Sequence, residues 1–273
     1  MTDQRIVLLS GGLASFEAAR RVIQRYGKQD THLWFFDTLI EDEDLYRFLE
    51  DIEDYFAMQI RYFRDGRTPW QVFKEERFIG NSRADVCSKH LKRRLLEREL
   101  EHAYPHHSDV TLYFGLEWSE PHRIEALAPK WEQKGYAVDF PLTWEPWLFP
   151  QDFRKLLGET GITIPRLYDL GFAHNNCGGA CIKAGIAQWS LLYRIFPERY
   201  HWHEQMEHAV RLSLRKNVSI LRDRRGGRTR PMTLRNLRLR LAANRLPGSP
   251  FLLSEPVEDS ACSCFVNMDD RVQ

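Results

Sequence analysis

Two groups of residues in this 273-residue chain have types and spacing that do chemistry. The first is Ser10-Gly11-Gly12-Leu13-Ala14-Ser15, which follows an apolar run, Ile6 to Leu9, and precedes a helix-forming stretch, Phe16 to Arg25. A strand, a glycine turn and a helix start present unpaired backbone N–H groups and the positive end of a helix dipole to one point. A phosphate or pyrophosphate is the natural occupant of that point. The glycines admit close backbone approach, and Ser10 and Ser15 add hydroxyl donors. The second group is the five cysteines: Cys87, the pair in Cys177-Gly-Gly-Ala-Cys181, and the pair in Cys262-Ser-Cys264. Four thiolates from distant segments can hold a [4Fe–4S] cluster. Spacing alone allows zinc equally, and His174 near Cys177 keeps a Cys/His zinc site open. With five thiols, four ligands leave one over; we expect Cys87, Cys177, Cys181 and Cys262 as ligands, with Cys262 and Cys264 interchangeable in that role.

The elements that must position these groups follow from periodicity. Strands are expected at Ile6–Leu9, Thr31–Phe36, Gln59–Phe63, Val110–Leu116 and Tyr136–Phe140. Helices are expected at Phe16–Arg25, Glu41–Met58 and Ser88–His102. Strands separated by helices imply parallel βαβ units and a doubly wound α/β sheet. Ligands of such sheets lie beyond the C-terminal strand ends, where the Ser-Gly-Gly turn falls. From Pro141 the character changes: Trp144, Pro146, Trp147, Pro150 and Pro165 interrupt regular structure, and helices are expected again from Ala184 to Phe196 and from Pro197 to Leu214. We therefore expect a nucleotide-binding domain over 1–165 and a smaller helical, cysteine-bearing, basic region over 166–273.

The turn is neither a Walker loop, which needs a longer glycine loop ending in Lys-Ser or Lys-Thr, nor a Gly-x-Gly-x-x-Gly dinucleotide fingerprint. Ser10-Gly-Gly-Leu-Ala-Ser15 resembles the PP-loop of the ATP pyrophosphatases and the phosphoadenosine phosphosulfate (PAPS) reductase family. Phe36-Asp37-Thr38 resembles that family's adenosine-contacting Asp-Thr. Gly115-Leu-Glu-Trp-Ser-Glu120-Pro-His-Arg123 resembles its Gly-x-x-x-x-Glu-x-x-Arg loop. Val86-Cys87-Ser-Lys-His-Leu-Lys, Pro141-Leu-Thr-Trp144 and Leu167-Tyr-Asp-Leu-Gly-Phe172 resemble further segments of PAPS-reductase-like proteins. The resemblance spans residues 5 to about 185. It implies that Ser10, Gly11, Gly12, Ser15, Asp37, Thr38 and Gly115 bind an adenine nucleotide, ATP or a sulfonucleotide. It implies that Glu120 and Arg123 close over the α-phosphate or the acceptor, and that Cys264 or Cys262 is a reactive tail thiol. Many PP-loops carry an Asp that helps bind magnesium and triphosphate at the position of Ala14; Glu17, Asp37 or Glu120 then remain to supply the carboxylate.

The net charge is only +1, so charge must be read locally. Arg222, Arg224, Arg225, Arg228, Arg230, Arg235, Arg238 and Arg240 crowd a stretch whose only acidic residue is Asp223. That density suits a polyanion such as RNA or DNA. An amphipathic helix with Leu234, Leu237, Leu239 and Leu241 inward and the arginines in water fits equally well. His201, His203 and His208 read as structural or surface residues. No apolar run reaches the ~20 residues of a membrane span, no signal peptide is expected, and an odd set of cysteines suits a reducing cytoplasm. These features together lead us to expect a cytoplasmic PP-loop enzyme. ATP would adenylate a substrate, a nucleic acid for instance, and an iron–sulfur centre fed by a sulfur-donor protein or small thiol would assist thiolation. The alternatives are a sulfonucleotide reductase and a non-catalytic nucleic-acid-binding protein on a degenerate PP-loop.

Overall fold

The computed structural model describes residues 3–81 and 84–243. Cys262 and Cys264, assigned above to metal binding and catalysis, lie outside the described residues. Five strands, β1 (Gln4–Leu9), β2 (Thr31–Asp37), β3 (Ile60–Arg64), β4 (Val110–Phe114) and β5 (Ala137–Asp139), form one parallel sheet in the order β3-β2-β1-β4-β5. The chain winds outward from β1 in one direction to β3, then crosses back to place β4 on the other side of β1. The switch point of this doubly wound sheet is therefore the gap between β1 and β4.

The strands are near-continuous apolar runs because both sheet faces are covered. Val7, Leu9, Leu33 and Phe35 face one side and pack against α1 (Leu13–Tyr26), α2 (Glu43–Phe56) and α7 (Pro150–Glu159) through Phe16, Phe48, Leu49, Ile52, Phe153 and Leu157. Ile6, Leu8, Trp34 and Phe36 face the other side, against α5 (Leu95–Ala103) and α6 (Pro121–Glu132) through Leu96, Leu100, Leu127 and Trp131. Each strand thus alternates between two cores rather than between core and water.

A third core lies to one side. It joins α3 (Pro69–Glu75), Cys87 and Leu91 to α9 (Ile186–Ile195), α10 (Pro197–Leu214) and α11 (Leu234–Ala243), with Trp70, Phe73, Trp189, Tyr200 and Leu234 at its centre. The doubly wound sheet and the helical C-terminal region expected from sequence are both present. Several details differ. Pro150, expected to interrupt regular structure, instead starts α7, as Pro69 and Pro121 start α3 and α6, since a helix N-terminus needs no N–H there. The helix expected at Ser88–His102 has three parts: α4 (Val86–Ser88), a π-helical stretch over Lys89–Arg94, and α5. In α11, Leu234 and Leu237 are buried but Leu239 is 51% exposed, so the apolar stripe is shorter than the leucine count suggested.

Among the described residues, no helix is long and apolar enough to cross a membrane. Glu207 of α10 is 1% exposed and accepts hydrogen bonds from the backbone N–H groups of Ile220 and Leu234, holding the antiparallel pair β6 (Leu221–Asp223) and β7 (Arg230–Met232) near the start of α11. Burial pushes its carboxyl up from 4.5 to about 7, against those two donors. A carboxyl raised in the folded state stabilises fully only below its unfolded value, and that stability is lost as pH rises towards the folded value. The difference in melting temperature between the native protein and Glu207→Gln should therefore shrink between about pH 4.5 and pH 7, by the equivalent of roughly 3 kcal/mol. A pH-independent difference in thermal melts would contradict this.

Candidate functional site

The Ser10–Ser15 turn links the end of β1 to α1 at the switch point. Gly12 caps α1 without any side-chain cap, so the first N–H groups of the helix are not covered from their own chain end. Leu13 N–H alone of these donates to a side chain, the Tyr168 hydroxyl, at 3.3 Å. The two serines are tied to each other. Ser15 Oγ accepts from Ser10 N–H at 3.0 Å and from Ser10 Oγ at 3.1 Å, and donates to the Gly12 carbonyl at 2.9 Å. Their hydroxyls shape the turn, and of its backbone N–H groups those of Ser10 and Leu13 are spent on side chains within the fold.

Gly115, at the end of β4, closes the other side of the switch point. A Cβ there would come 3.0 Å from Ser15 Cα and 3.2 Å from the Ala14 carbonyl oxygen. Only glycine lets the end of β4 approach the start of α1 so closely. The loop that follows places Glu120 at the N-cap of α6, where its carboxylate accepts the Glu117 N–H at 3.1 Å and pairs with buried Arg123.

Asp37 and Thr38 end β2. Asp37 is 1% exposed and accepts from Leu39 N–H at 2.8 Å, the Tyr46 hydroxyl at 2.9 Å and Arg64 Nε at 2.9 Å. Burial, with the Asp37 charge adding to it, pushes the Tyr46 phenol well above its usual range. Glu17 is buried in ion pairs with Arg20 and Arg21, and Arg21 in turn donates to the carbonyls of Pro141, Trp144 and Pro146. Each carboxylate considered as a stand-in at the Ala14 position thus already has an arginine partner.

The cysteine turn meets the end of β2. The Thr38 hydroxyl donates to Glu41 at 2.8 Å, and the other Glu41 oxygen accepts the Cys177 N–H. Cys177, Gly178 and Gly179 have φ of +51°, +56° and +82°, so the backbone coils left-handed through three successive residues. At Gly178 a Cβ would come 2.8 Å from the Ile40 carbonyl oxygen, which requires glycine there. Asn175 reaches back to the glycine turn, its Nδ2 donating to the Gly11 carbonyl at 2.7 Å.

Cys87, Cys177 and Cys181 line one cavity, together with Thr38, Ile40, Trp70, Ser88, Lys92, Lys183 and His203. Three thiols brought from residues 87 to 181 are a donor set for a soft, thiolate-bound metal or cluster. As placed, among the described residues, no three His, Cys, Asp or Glu side chains come close enough together to hold a metal ion. Cys87, Cys177 and Cys181 form no disulfide, and a hydrogen bond to Cys181, with burial and the Glu41 charge, raises the Cys177 thiol well above its usual range. The π-helical stretch widens the helix just after Cys87 and buries Lys92 at the cavity wall. Short π segments often occur at functional sites.

Several of these residues left no sequence signal of their own. Glu41, Tyr168 and Asn175 act only through contacts made in the fold. His203 was read as structural or surface; it is 2% exposed and lines the cavity. The basic region is partly paired: Arg225 and Arg240 bind Asp223, and Arg238 binds Glu204, while Arg222, Arg224, Arg228, Arg230 and Arg235 are exposed.

A parallel sheet of order β3-β2-β1-β4-β5 with its glycine turn at the switch point defines a doubly wound α/β architecture. No family model and no curated protein matches the chain. Among solved structures it is similar to a phosphoadenylyl-sulfate (PAPS) reductase from Candida auris, in a phosphate complex, with a TM-score of 0.46 and 16% identity over 62% of this chain and 78% of that one.

Gly115→Ala should displace the first turn of α1, because the atoms in its way are backbone. We expect a stability loss of about 1–3 kcal/mol and weaker nucleotide binding. Denaturant melts and calorimetric titration with ATP check this, and native-like values for both would contradict the packing described.

Proposed function

We propose that this chain is an adenine-nucleotide-dependent enzyme of sulfur chemistry. The backbone of Ser10, Gly11, Gly12 and Ser15, with Gly115 behind it, receives the phosphates, and Asp37 and Thr38 border the adenosine. Glu120 and Arg123 frame the reacting end. The observation that carries the reading is the single cavity lined by Thr38, at the end of β2, and by Cys87, Cys177 and Cys181. Of the proposed nucleotide-binding residues Thr38 alone lines it, and Glu41 ties Thr38 to the Cys177 backbone, which supports a nucleotide end lying near the thiols.

The three thiols, with Cys262, would hold a [4Fe–4S] cluster, with zinc as the alternative; such a group would supply a sulfur-rich, electron-accepting centre. The chain's own residues bind and orient. The helix N-terminus favours negative charge on the phosphates, and Arg123 adds a fixed cation. The exposed arginines of residues 222–235 support a polyanionic acceptor such as RNA or DNA. In this reading residues 1–165 form the nucleotide-binding part and 166–273 the thiol-bearing, basic part. Reduced thiols suit a cytoplasmic location.

In the first form of the reaction, ATP adenylates an acceptor oxygen with loss of pyrophosphate, and a sulfide-level sulfur from the donor then displaces AMP. In the second, a tail thiol, Cys264 or Cys262, attacks the sulfonyl sulfur of a sulfonucleotide, the nucleotide phosphate leaves, and a second, added small thiol releases sulfite by forming a disulfide. One observation favours the second: Glu17, Asp37 and Glu120 are all held by arginines, so none is idle for magnesium.

Anaerobically purified protein should release pyrophosphate from ATP in the presence of RNA or DNA, or sulfite from a sulfonucleotide. Release of neither would overturn the proposal. Cys87→Ser and Cys177→Ser should each lower bound iron or zinc at least several-fold; unchanged metal content by elemental analysis would remove these cysteines from the ligand set.

A further inference from the structure

Between the end of α10 and the first turn of α11 the chain is rich in cations and nearly free of acids. Residues 215–235 hold seven arginines and one lysine against a single acidic residue, Asp223. The antiparallel pair β6 and β7 presents the middle of this run as a hairpin. Leu221 and Met232 pair across its base and are buried in the third core. Beyond that pair, Arg222, Arg224, Arg228 and Arg230 are exposed, and their guanidinium groups make no ion pair among the described residues.

The hairpin is braced. Asp223 holds Arg225 of the tip at 3.0 Å and Arg240 of α11 at 2.8 Å. Buried Glu207 holds both flanks through the N–H groups of Ile220 and Leu234. Gly227, with φ of +71° and nothing within 4 Å of where a Cβ would stand, keeps the tip thin. A fixed shape carrying unpaired cations is a receptor for a polyanion, and the shape narrows which one.

Successive strand residues point to opposite faces, so Arg222 lies on one face of the hairpin and Arg230 on the other. Three extended rises carry the chain about 10 Å from Leu221 to Arg224. The major groove of B-form DNA is about 12 Å wide and about 8.5 Å deep, and it admits a two-stranded ribbon between its two phosphate backbones. The minor groove, about 6 Å wide, is too narrow, and the deep, narrow major groove of A-form RNA shuts side chains out. Proteins that bind single strands stack the bases on aromatic rings. Residues 203–250 contain no Phe, Trp or Tyr.

We propose that the β6–β7 hairpin docks in the major groove of B-form duplex DNA, with Arg222, Arg224, Arg228 and Arg230 on the flanking phosphates. This rests on the reading of the basic region as the seat of a polyanionic acceptor, and narrows it to one class. Each phosphate contact releases a counterion, so affinity must fall with salt.

The test follows binding of the full chain to fluorescein-labelled duplex DNA, duplex RNA and single-stranded DNA of one sequence, by fluorescence anisotropy over a salt series. The proteins are wild type, R224A/R228A, and K28A/K155A, which removes the same charge from exposed positions outside the hairpin. Wild type should bind duplex DNA several-fold more tightly than the other two nucleic acids. R224A/R228A should lose duplex affinity at least several-fold, with the slope of log affinity against log salt shallower by about 2, and K28A/K155A should match wild type. If R224A/R228A binds like wild type, or both double variants weaken alike, the hairpin is not the DNA site, and the polyanion reading stands. Equal or tighter binding of duplex RNA or the single strand would overturn the duplex DNA assignment and also leave that reading standing. Binding of none of the three at low salt would overturn the polyanion reading, and this proposal with it.

Discussion

The arrangement depends on two adjacent carboxylates, Glu41 and Asp42, where the chain leaves β2 and enters α2. Glu41 ties Thr38 to the backbone N–H of Cys177. Asp42, fully buried, caps α2 through Asp44 N–H and holds Arg166 and Arg199 at 2.7 and 2.8 Å. Burial opposes ionisation of Asp42, but the two guanidinium groups hold its carboxyl below the usual range. A buried carboxylate with two arginines is costly to break, because removing either side leaves a charge without its partner. Arg199 also donates to the Gly178 carbonyl at 2.7 Å. The C-terminal sheet edge, the cysteine turn and α10 are thus joined through one short acidic segment.

That junction brings the end of β2 and the three thiols to one cavity. A doubly wound sheet offers its strand ends as a ligand crevice, and the glycine turn and Gly115 occupy the crevice at the switch point. The sheet alone would leave the crevice open on the β2 side. The helical region closes it there, bringing Tyr168 and Asn175 onto the turn and Cys177 onto the end of β2. The π-helical stretch after Cys87 supplies the facing wall.

Much of this was legible in the sequence, for a physical reason. Parallel strands buried on both faces give continuous apolar runs, so all five strands were found within two residues or so of their ends. The Ser-Gly-Gly turn and Gly115 were legible because close backbone approach demands glycine. What stayed hidden depends on partners distant in the chain. That the Ser10 hydroxyl bonds to that of Ser15 is likewise visible only in the turn geometry. Arginine density fitted a polyanion surface and a solvated amphipathic helix equally, and the sequence did not show that Asp223 and Glu204 pair three of those arginines. His203 was indistinguishable from its neighbours His201 and His208 until α10 was packed against α3. Pro150 read as a break because its sequence context alone does not separate a helix start from a loop.

The central claim is that nucleotide and thiols meet in one cavity, and chemical protection of Cys181 tests it most directly. Cys181 is the partly accessible thiol of the three, so its rate of alkylation by iodoacetamide can be followed by mass spectrometry. Saturating ATP or a sulfonucleotide should slow alkylation of Cys181 several-fold, while adenosine-free pyrophosphate, held on the glycine turn, should slow it less. Alkylation at an unchanged rate with the nucleotide demonstrably bound would contradict the account.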